Sequence, residues 1–593
     1  MATINYDFYD GKDIYNDGNI EEKLLSFFKN NRKQEFYSED MFYTTTQIRE
    51  NILNWFPFSN DQTILEIGAG VGTITEMLCD KCKNVVSVEA SKRRAEIIYE
   101  RCKEKENLEV YVANLNDLEL KEKFDYIALI GVFEYAKIFC DSSNPFVDFL
   151  DNIKKYLKPN GKILLAIENR YGIKYFAGNK EDHLNEKYIG LYGYDNYSVQ
   201  TFGKKELISI FEKCGLNYNK FYYVFPDYKL PQVIYTDYMM PTLEQCSSLP
   251  IYNHGEQNYE FDIRKVMPGI IQNGQLDFFA NSFLVELGFN NNDFSDVAYV
   301  KHQPYRTSGY QMITIIDDKN NVYKICSNKN SYEHLKNIYN NHKLIQKRNI
   351  NICDTVIKDN KLEFEYIEGK SIYEIINELK NSNSNEVEKV IDDYISYILN
   401  ECSCLKNIKD PIDDKLLEEY KGRVHVLKLG LLDLNMGNVI INKDNKYCLI
   451  DQEWCSKQDL PSDYAIYFSI KLLFETMPDI SSIIEEKMLY KKYNISSKKQ
   501  KIFNNISINY FDDEKKFKDM EVFKKLISCS SVNVRDDDIY EKRICEISNN
   551  YEVEIQRLLR EHNIIIDQIY NSTSWKVTKP FRSIMCMLKR KKK

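Results

Sequence analysis

The run TILEIGAGVGTITEML, which begins at Thr63, constrains the fold of this chain more than any other feature. Its apolar start predicts a strand, Gly68, Gly70 and Gly72 predict a turn, and the following residues predict a helix. Glycine lets the backbone bend sharply here and lets a ligand approach the helix N-terminus. A dinucleotide fingerprint would place glycine at position 73, where this chain has Thr73. The pattern therefore predicts an open α/β sheet with a different ligand at its turn.

Three later segments predict strands whose carboxyl ends lie beside this glycine turn. NVVSVEAS ends near Glu89, an acid that can accept hydrogen bonds from both ribose hydroxyls. LEVYVANLNDL ends near Asn114 and Leu115, which suit the edge and face of an adenine. FDYIALIGVFEYA has Gly131 at its carboxyl end. Open α/β sheets bind ligands at the carboxyl ends of their strands, so these residues form the predicted cofactor site.

The E-x-G-x-G-x-G spacing that begins at Glu66 resembles class I S-adenosylmethionine-dependent methyltransferases. The runs IGVFEYA, NRYGIKYFAGNKEDH, TFGKKEL, FPDYKLP and FANSFL resemble methyltransferases encoded with bacterial surface-polysaccharide enzymes. This resemblance implies a Rossmann-like domain at residues 1–290 that binds S-adenosylmethionine. It also implies an N-terminal helical lid over the cofactor, for which Tyr15 and Arg49 are candidate contacts.

The sequence leaves the methyl acceptor open between a phosphate and a hydroxyl. Side chains that could clamp an anion occur together in NRYGIKYFAG: Asn169, Arg170, Tyr171, Lys174 and Tyr175. Arg170 is the best candidate, because a guanidinium can bind phosphate with two parallel hydrogen bonds. A neutral hydroxyl would instead need a base, for which His183 and Glu134 are candidates. A polar loop without a catalytic role explains the same run.

Beyond the polar seam GFNNNDFSD, the pattern changes to short strands joined by tight turns. AYVKHQPYR, YQMITIID and VYKICS predict three strands, and SYEHLKNIYNNHKLIQ predicts a helix. This is the order of a kinase N-lobe, in which Lys324 would reach the nucleotide phosphates and Glu333 would ion-pair with Lys324. LEFEYIEGKS, which includes Glu365, resembles the strand-to-hinge connection of small-molecule kinases related to aminoglycoside phosphotransferases. Glu365 is therefore a candidate nucleotide contact.

The run LGLLDLNMGNVIINKDNKYCLIDQEW places acids and amides beside apolar strands. Asp433 and Asn438 have the D-x-x-x-x-N spacing of a kinase catalytic loop, in which the acid accepts the acceptor's proton and the amide binds magnesium. Asp451 then lies where a second metal-binding acid belongs. Leu431 and Leu432 replace the histidine and glycine that usually precede the base, so a degenerate domain that only binds ligands remains an alternative.

DQEW resembles the same position in bifunctional methyltransferase–kinases that cap bacterial O-antigen chains. This resemblance implies a two-lobed, kinase-like α+β domain at residues 295–480, with ATP and Mg²⁺ as cofactors. A glycan or lipid-linked saccharide would be phosphorylated at its terminus, and that sugar or its phosphate would be methylated. The alternatives are a methyltransferase with a binding-only kinase-like domain, and a membrane scaffold for polysaccharide glycosyltransferases.

The last hundred residues predict a helical region at 481–570 and a basic amphipathic tail at 571–593. A heptad repeat from Ile544 to Ile569 predicts either a coiled coil, which could form a homo-oligomer, or one amphipathic helix.

From Ser572 onwards the tail has eight Lys and Arg residues and no acid, whereas the whole chain has a net charge of -9. This distribution predicts no nucleic-acid partner, and docking of the tail on the inner face of the cell membrane. SWKVTKPFR also resembles segments of polysaccharide glycosyltransferases, which are a candidate partner. Fifteen cysteines predict a reducing, cytoplasmic environment.

Overall fold

The computed structural model describes residues 1–9, 11, 18–30, 39–194, 197–243, 245–252, 259–291, 294–380, 384–511 and 527–528, and the single residues 557, 562 and 566. Tyr15, the basic tail and almost all of the predicted coiled coil lie outside these residues. The chain divides into two units, Met1–Asn533 and Val534–Lys593, and every helix and strand given below belongs to the first. Among the described residues, no helix combines the length and apolar character needed to span a membrane.

Among the described residues of the first 290, there are ten strands and eleven α-helices. The strands are β1 Thr3–Asn5, β2 Thr63–Ile67, β3 Asn84–Glu89, β4 Leu108–Val112, β5 Phe124–Ile130, β6 Leu157–Glu168, β7 Tyr218–Phe225, β8 Val233–Thr236, β9 Ile251–Tyr252 and β10 Ser282–Gly288. The helices are α1 Asn19–Lys29, α2 Glu39–Thr45, α3 Thr75–Lys81, α4 Lys92–Cys102, α5 Ala136–Phe139, α6 Pro145–Lys154, α7 Ile173–Phe176, α8 Ile189–Tyr192, α9 Lys204–Lys213, α10 Ile263–Gln272 and α11 Leu276–Phe279.

The sheet in this part has the order β1-β4-β3-β2-β5-β6-β10-β7-β8. Pairing is parallel from β1 to β6 and antiparallel from β10 to β8. Strands β2 and β5 are almost continuously apolar because helices cover both faces of the sheet. Leu65 packs into the core on one face and Ile64 into the core on the other. The predicted open α/β sheet is confirmed.

The remainder of the first unit contains thirteen strands and seven helices among the described residues. The strands are β11 Val297–His302, β12 Met312–Asp317, β13 Val322–Cys326, β14 Thr355–Lys358, β15 Lys361–Phe364, β16 Gly369–Ser371, β17 Ser403–Lys406, β18 Val424–Leu427, β19 Gly430–Leu431, β20 Val439–Asn442, β21 Tyr447–Leu449, β22 Cys455–Ser456 and β23 Ile527–Ser528. The helices are α12 Tyr332–Lys347, α13 Ile372–Leu379, α14 Ser384–Tyr397, α15 Lys415–Glu419, α16 Ser462–Thr476, α17 Glu486–Lys492 and α18 Ser497–Phe511.

Five antiparallel strands in the order β11-β12-β13-β15-β14 continue the same sheet, which has fourteen strands in all. The two parts join where β11 pairs with β8, through Val300 opposite Ile234 and Lys301 opposite Val233. Helix α12 lies between β13 and β14 in the chain, as the sequence predicts. The polar seam before Val297 therefore separates two stretches of sequence without interrupting the sheet.

A separate helical core follows the antiparallel strands. It contains Ile372 of α13 and Tyr464 of α16, and it extends to Phe503 and Ile506 of α18. The small sheet β16-β20-β21 and the two-stranded pairs β17-β18 and β19-β22 belong to the same stretch of the chain. This core continues past residue 480, where the sequence placed the end of the second domain.

Candidate active sites

The glycine turn between β2 and α3 has the backbone conformation that its sequence predicts. Gly68, Gly70 and Gly72 have φ angles of 67°, 60° and 75°, which residues with a side chain rarely adopt. A Cβ atom on Gly68 would also lie 2.6 Å from the Cγ2 atom of Val132. Only glycine therefore fits at this point, and the backbone of the turn stays open on the side of the neighbouring cavity.

Glu89, the last residue of β3, holds this turn with its buried carboxylate. Its Oε2 atom accepts a hydrogen bond from the backbone N–H of Gly70 at 2.8 Å, and its Oε1 atom accepts one from Ser91 at 2.9 Å. Burial raises the pKa of Glu89, and the hydrogen bond from Ser91 and the charge of Arg94 partly oppose that rise. Carboxylate oxygens accept more than one hydrogen bond, so Glu89 retains capacity for a ligand.

A cavity of about 420 Å³ opens between the glycine turn and the N-terminal helices. This volume lies within the range of small-molecule sites. Six residues predicted from the sequence line it: Arg49, Gly68, Gly70, Glu89, Leu115 and Gly131. Ile20 and Leu24 of α1 and Thr44 of α2 also line it, so these helices contribute to its wall as the predicted lid would.

Three other predicted contacts lie outside the wall of this cavity. A Cβ atom on Gly72 would face Ile98 of α4, and the side chain of Asn114 accepts a hydrogen bond from the backbone N–H of Asn116 at 3.1 Å. Glu66 lies beneath the turn, where it accepts hydrogen bonds from Thr75 at 2.7 Å and Ser87 at 2.6 Å. Glu66 therefore fixes the turn to its neighbours instead of facing the ligand.

The predicted anion clamp is engaged in internal contacts. Arg170 donates to the carbonyl of Gly190 at 2.8 Å and pairs with Glu206 at 3.1 Å. Lys174 is 1% exposed and pairs with Asp182 and Asp227, each at 2.9 Å. Neither cation lines the cavity, because internal acids hold both of them.

The candidate bases, in contrast, come together beside the cavity. Nδ1 of His183 lies 2.8 Å from the hydroxyl of Tyr135, which lines the cavity. Nε2 of His183 lies 3.3 Å from Oε2 of Glu168 and 3.9 Å from Oε1 of Glu134. Burial alone would lower the pKa of His183, but Glu168 and Glu134 raise it to about 9. Burial and the neighbouring Glu168 raise the pKa of Glu134 to about 8. Glu168 was not predicted, although its place at the carboxyl end of β6 was a usable signal.

In the second candidate site, Lys324 of β13 forms ion pairs with Asp451 and Glu453. Glu333, predicted to hold Lys324, is exposed and instead pairs with Lys336 at 2.8 Å. Adjacent residues of a helix point about 100° apart, and α12 turns His334 inward at that position. The buried acid that holds Lys324 is therefore Glu453, in the run DQEW.

Glu453 connects four elements around Lys324. Its carboxylate pairs with Arg306, which precedes β12, and lies 3.5 Å from Nε2 of His334. Its backbone N–H donates to Oδ2 of Asp433 at 3.1 Å. Burial would raise the pKa of Glu453, but Lys324 and Arg306 hold it well below its ordinary range. Glu453 is therefore an ionised residue at the centre of this site, and the sequence analysis did not identify it.

The structure brings Asp433, Asn438 and Asp451 together. The Nδ2 atom of Asn438 donates to the backbone carbonyl of Asp433 at 3.0 Å. Within the described residues, Oδ1 of Asp433 is buried without a hydrogen-bond partner. Burial, and then the charges of Asp451 and Glu453, raises the pKa of Asp433. These oxygen groups suit a hard cation such as Mg²⁺, and Asp451 is 45% exposed and accessible to one.

The remaining predicted residues of this site have other surroundings. Leu431 and Leu432, which replace the usual histidine and glycine, are fully buried in the helical core. Glu365 is exposed just after β15, where its carboxylate accepts a hydrogen bond from the backbone N–H of Asp354 at 3.2 Å. A nucleotide contact by Glu365 stays a prediction.

Residues 65–163 match the family model described as a methyltransferase domain. This chain carries a methyltransferase domain. The match runs from β2 into β6 and includes the glycine turn, Glu89, Leu115 and Gly131. The domain has the Rossmann-like fold that the sequence predicts, within a larger mixed sheet.

Similar proteins include the ubiquinone biosynthesis O-methyltransferase of Pelagibacter ubique, which is 28% identical over 185 residues, or 29% of this chain and 74% of that protein. The ribosomal RNA small subunit methyltransferase A of Clostridium botulinum is 30% identical over 119 residues, or 20% of this chain and 41% of that protein. Among solved structures, the N-methyltransferase NodS of Bradyrhizobium japonicum with S-adenosyl-L-homocysteine has a TM-score of 0.19 and 21% identity, covering 26% of this chain and 75% of that one.

The buried carboxyl of Glu66 leads to a pH-dependent stability. Burial raises its pKa from 4.5 to about 7, against the hydrogen bonds from Ser87 and Thr75. The pKa of Glu66 in the folded state lies above its pKa in the unfolded state. The protonated carboxyl therefore stabilises the folded state fully below about pH 4.5, and this contribution is lost as the pH rises through 7. We expect the free energy of unfolding, compared with Glu66→Gln, to fall by on the order of 3 kcal/mol over this range and to level off above it. Urea denaturation at several pH values measures this difference, and a difference independent of pH would contradict the assignment.

Proposed function

We propose that this protein is an S-adenosylmethionine-dependent methyltransferase with a second, kinase-like site, and that it modifies a glycan terminus in surface-polysaccharide biosynthesis. The observation that carries the proposal is the convergence of Lys324, Asp433 and Asp451 in a chain that also carries a methyltransferase domain. The sugar would be presented as a free glycan or a lipid-linked saccharide. The resemblance of DQEW and of NRYGIKYFAG to capping enzymes supports this substrate class.

The shape and chemistry of the first cavity support S-adenosylmethionine as the methyl donor. Glu89 offers carboxylate oxygens for two ribose hydroxyls, and Leu115 offers an apolar face for an adenine. The open backbone of Gly68 and Gly70 permits close approach of the donor. When bound, S-adenosylmethionine supplies an electrophilic methyl group, and the chain's own contribution is to orient it towards an acceptor.

The order of elements around Lys324 supports a phosphotransfer site. In kinases a lysine on the third strand pairs with a buried acid, and an Asp and an Asn of the catalytic loop serve as base and metal ligand. Here β13 is the third strand of β11–β15, and Glu453 is the buried acid. Asp433 would accept the proton of the acceptor hydroxyl. Asn438 and Asp451 would hold Mg²⁺, and bound ATP would supply the phosphoryl group.

A domain that binds a nucleotide or glycan without phosphorylating it is the second candidate. Two observations favour it: Leu431 and Leu432 fill the positions before the base, and the Oδ1 atom of Asp433 is buried while the pKa of that carboxyl is raised. The two candidates differ in their dependence on the Asp433 carboxylate. A base is essential only to the transfer reaction.

The C-terminal segments add two further proposals. The eight basic residues of the 571–593 tail support reversible docking on an anionic membrane surface from the cytoplasmic side, at ~1 kcal/mol per charge. The heptad pattern before it supports self-association. Membrane docking would bring the protein to lipid-linked saccharides and to the glycosyltransferases that extend them.

Removing the charge of Glu89 should weaken binding of the methyl donor. For Glu89→Gln we expect S-adenosylmethionine to bind about 10- to 100-fold more weakly by isothermal titration calorimetry, because a charged hydrogen bond contributes roughly 1.5–3 kcal/mol. Glu119→Gln, on the exposed surface beyond β4, is the matched control and should bind like wild type. Equal affinity in Glu89→Gln and Glu119→Gln, with both proteins folded, would rule out this donor site.

Phosphate transfer should depend on Asp433. With Mg-ATP and a glycan acceptor, we expect Asp433→Asn to incorporate labelled phosphate about 10²- to 10⁴-fold more slowly, because loss of a general base costs that much. ATP binding should persist in the variant. Equal incorporation by both proteins would refute the base assignment. Absence of transfer by wild type, with ATP bound, would favour the binding-only candidate.

The two candidate partners of Lys324 make opposite predictions. Glu453→Gln removes the buried carboxylate that holds Lys324 and Arg306, so transfer should fall at least tenfold and the melting temperature should decrease. Glu333→Gln, which changes an exposed residue of α12, should match wild type in both measurements. If Glu333→Gln lowered transfer and the melting temperature while Glu453→Gln matched wild type, Glu333 would be the partner of Lys324, as the sequence predicts.

A further inference from the structure

A buried ion-pair cluster lies beside the methyl-donor cavity and is short of positive charge. Its members are linked by direct contacts: the carboxylates of Glu134, Glu168, Asp182 and Asp227, the ammonium groups of Lys174 and Lys229, and the imidazole of His183. With every carboxylate ionised and the imidazole neutral, the cluster has two more negative charges than positive ones. Buried charges at this density require compensation.

The missing charge is concentrated at Glu134, Glu168 and His183. One ligand atom from each of these three residues lies within 4.8 Å of the others. The nearest ammonium, that of Lys229, pairs at 2.7 Å with Oε1 of Glu168, whereas Oε2 of Glu168 faces His183. Glu134 is fully buried, and neither of its oxygens has a hydrogen-bond partner within the described residues. An unpartnered buried carboxylate needs an explanation.

We propose that Glu134, Glu168 and His183 bind one divalent cation, such as Mn²⁺, next to the methyl-donor cavity. Two carboxylates and an imidazole form a ligand set that suits Mn²⁺ or Zn²⁺. The Nε2 atom of His183 lies 3.3 Å from Oε2 of Glu168 and 3.9 Å from Oε1 of Glu134. These separations are near those between ligand atoms that bind one ion at about 2.0–2.2 Å. A single divalent cation also offsets both missing charges.

Outer contacts of the three residues match those of a metal site. The second nitrogen of His183 hydrogen-bonds to the hydroxyl of Tyr135, and the second oxygen of Glu168 pairs with Lys229. Such outer partners fix the orientation of metal ligands and tune their basicity. Both Tyr135 and Lys229 thus hold ligand atoms towards one point.

The place of this site suggests its role, which rests on the proposed methyltransferase function. Tyr135 lines the donor cavity and touches His183, so the cation would be close to a bound methyl acceptor. A cation there would bind an acceptor oxygen and orient it towards the donor. The cation would therefore hold the methyl acceptor. Arg170 and Lys174 cannot do so, because both form ion pairs with acids elsewhere.

Two protons, one on Glu134 and one on His183, are the alternative source of the missing charge. The two possibilities differ in metal content. The experiment uses the full chain, stripped with EDTA and titrated with Mn²⁺ while free Mn²⁺ is followed by electron paramagnetic resonance. An Asp451→Asn background removes a ligand of the other proposed metal site, so that binding there does not interfere.

In this background we expect about one Mn²⁺ per chain and a higher melting temperature with Mn²⁺, because ligands stabilise the folded state they bind. Adding Glu134→Gln or His183→Gln should weaken Mn²⁺ binding at least tenfold and abolish the thermal shift. Binding of S-adenosylmethionine to the EDTA-treated variants separates this proposal from the donor site. If donor binding is intact and Mn²⁺ binding is lost, both proposals are supported.

Absence of stoichiometric Mn²⁺ binding in the Asp451→Asn background would overturn the metal site and assign the two charges to protons. Unchanged binding in both Glu134→Gln and His183→Gln would do the same. If Glu134→Gln does not fold, the His183→Gln titration and the thermal shift of the parent protein give the same decision.

Discussion

The pairing of β8 with β11 is the constraint on which the arrangement of both sites depends. Through Val300 and Ile234 it joins a largely parallel sheet to an antiparallel one, so that fourteen strands form one hydrogen-bonded layer. The donor cavity lies at the carboxyl ends of the parallel strands, and Lys324 projects from the antiparallel part. Backbone hydrogen bonds, instead of a flexible linker, therefore connect the two sites.

Within each site, a buried carboxylate organises the groups around it. Glu89 accepts from the backbone N–H of Gly70 in the glycine turn and from that of Ser91 after β3, and Glu453 gathers Lys324, Arg306 and the backbone of its own loop towards Asp433. A buried carboxylate is stable only when hydrogen bonds or cations compensate it. Each of these acids consequently holds several chain segments in one geometry. Substrate binding would exploit positions that are already fixed.

Local patterns in the sequence were sufficient to predict much of this structure. The glycine turn and the grouping of Asp433 with Asn438 follow from short spacings, because nearby residues of one loop are necessarily neighbours. The strand ends at Glu89, Leu115 and Gly131 follow from the rule that open α/β sheets bind ligands at the carboxyl ends of their strands. The order of three strands and a helix around Lys324 was predicted for the same reason.

Contacts between distant segments could not be predicted in this way. Glu333 and His334 are adjacent residues of α12, and only the packing of this helix decides which of them faces Lys324. Arg170 and Lys174 have the composition of an anion clamp, but Arg170 pairs with Glu206, and Lys174 pairs with Asp227 as well as with the nearby Asp182. The pairing of β8 with β11 also has no local signature, since either strand could have ended its own sheet.

We propose that one chain contains a methyl-donor site and a separate nucleotide site. Hydrogen–deuterium exchange of the full chain, measured with S-adenosylmethionine and then with Mg²⁺ and a non-hydrolysable ATP analogue, tests it most directly. We expect the first ligand to slow exchange at residues 67–72 and 89–91, and the second to slow exchange at 322–326 and 433–453. Protection of the same segments by both ligands, or no protection near Lys324 and Asp433 with the nucleotide, would contradict it.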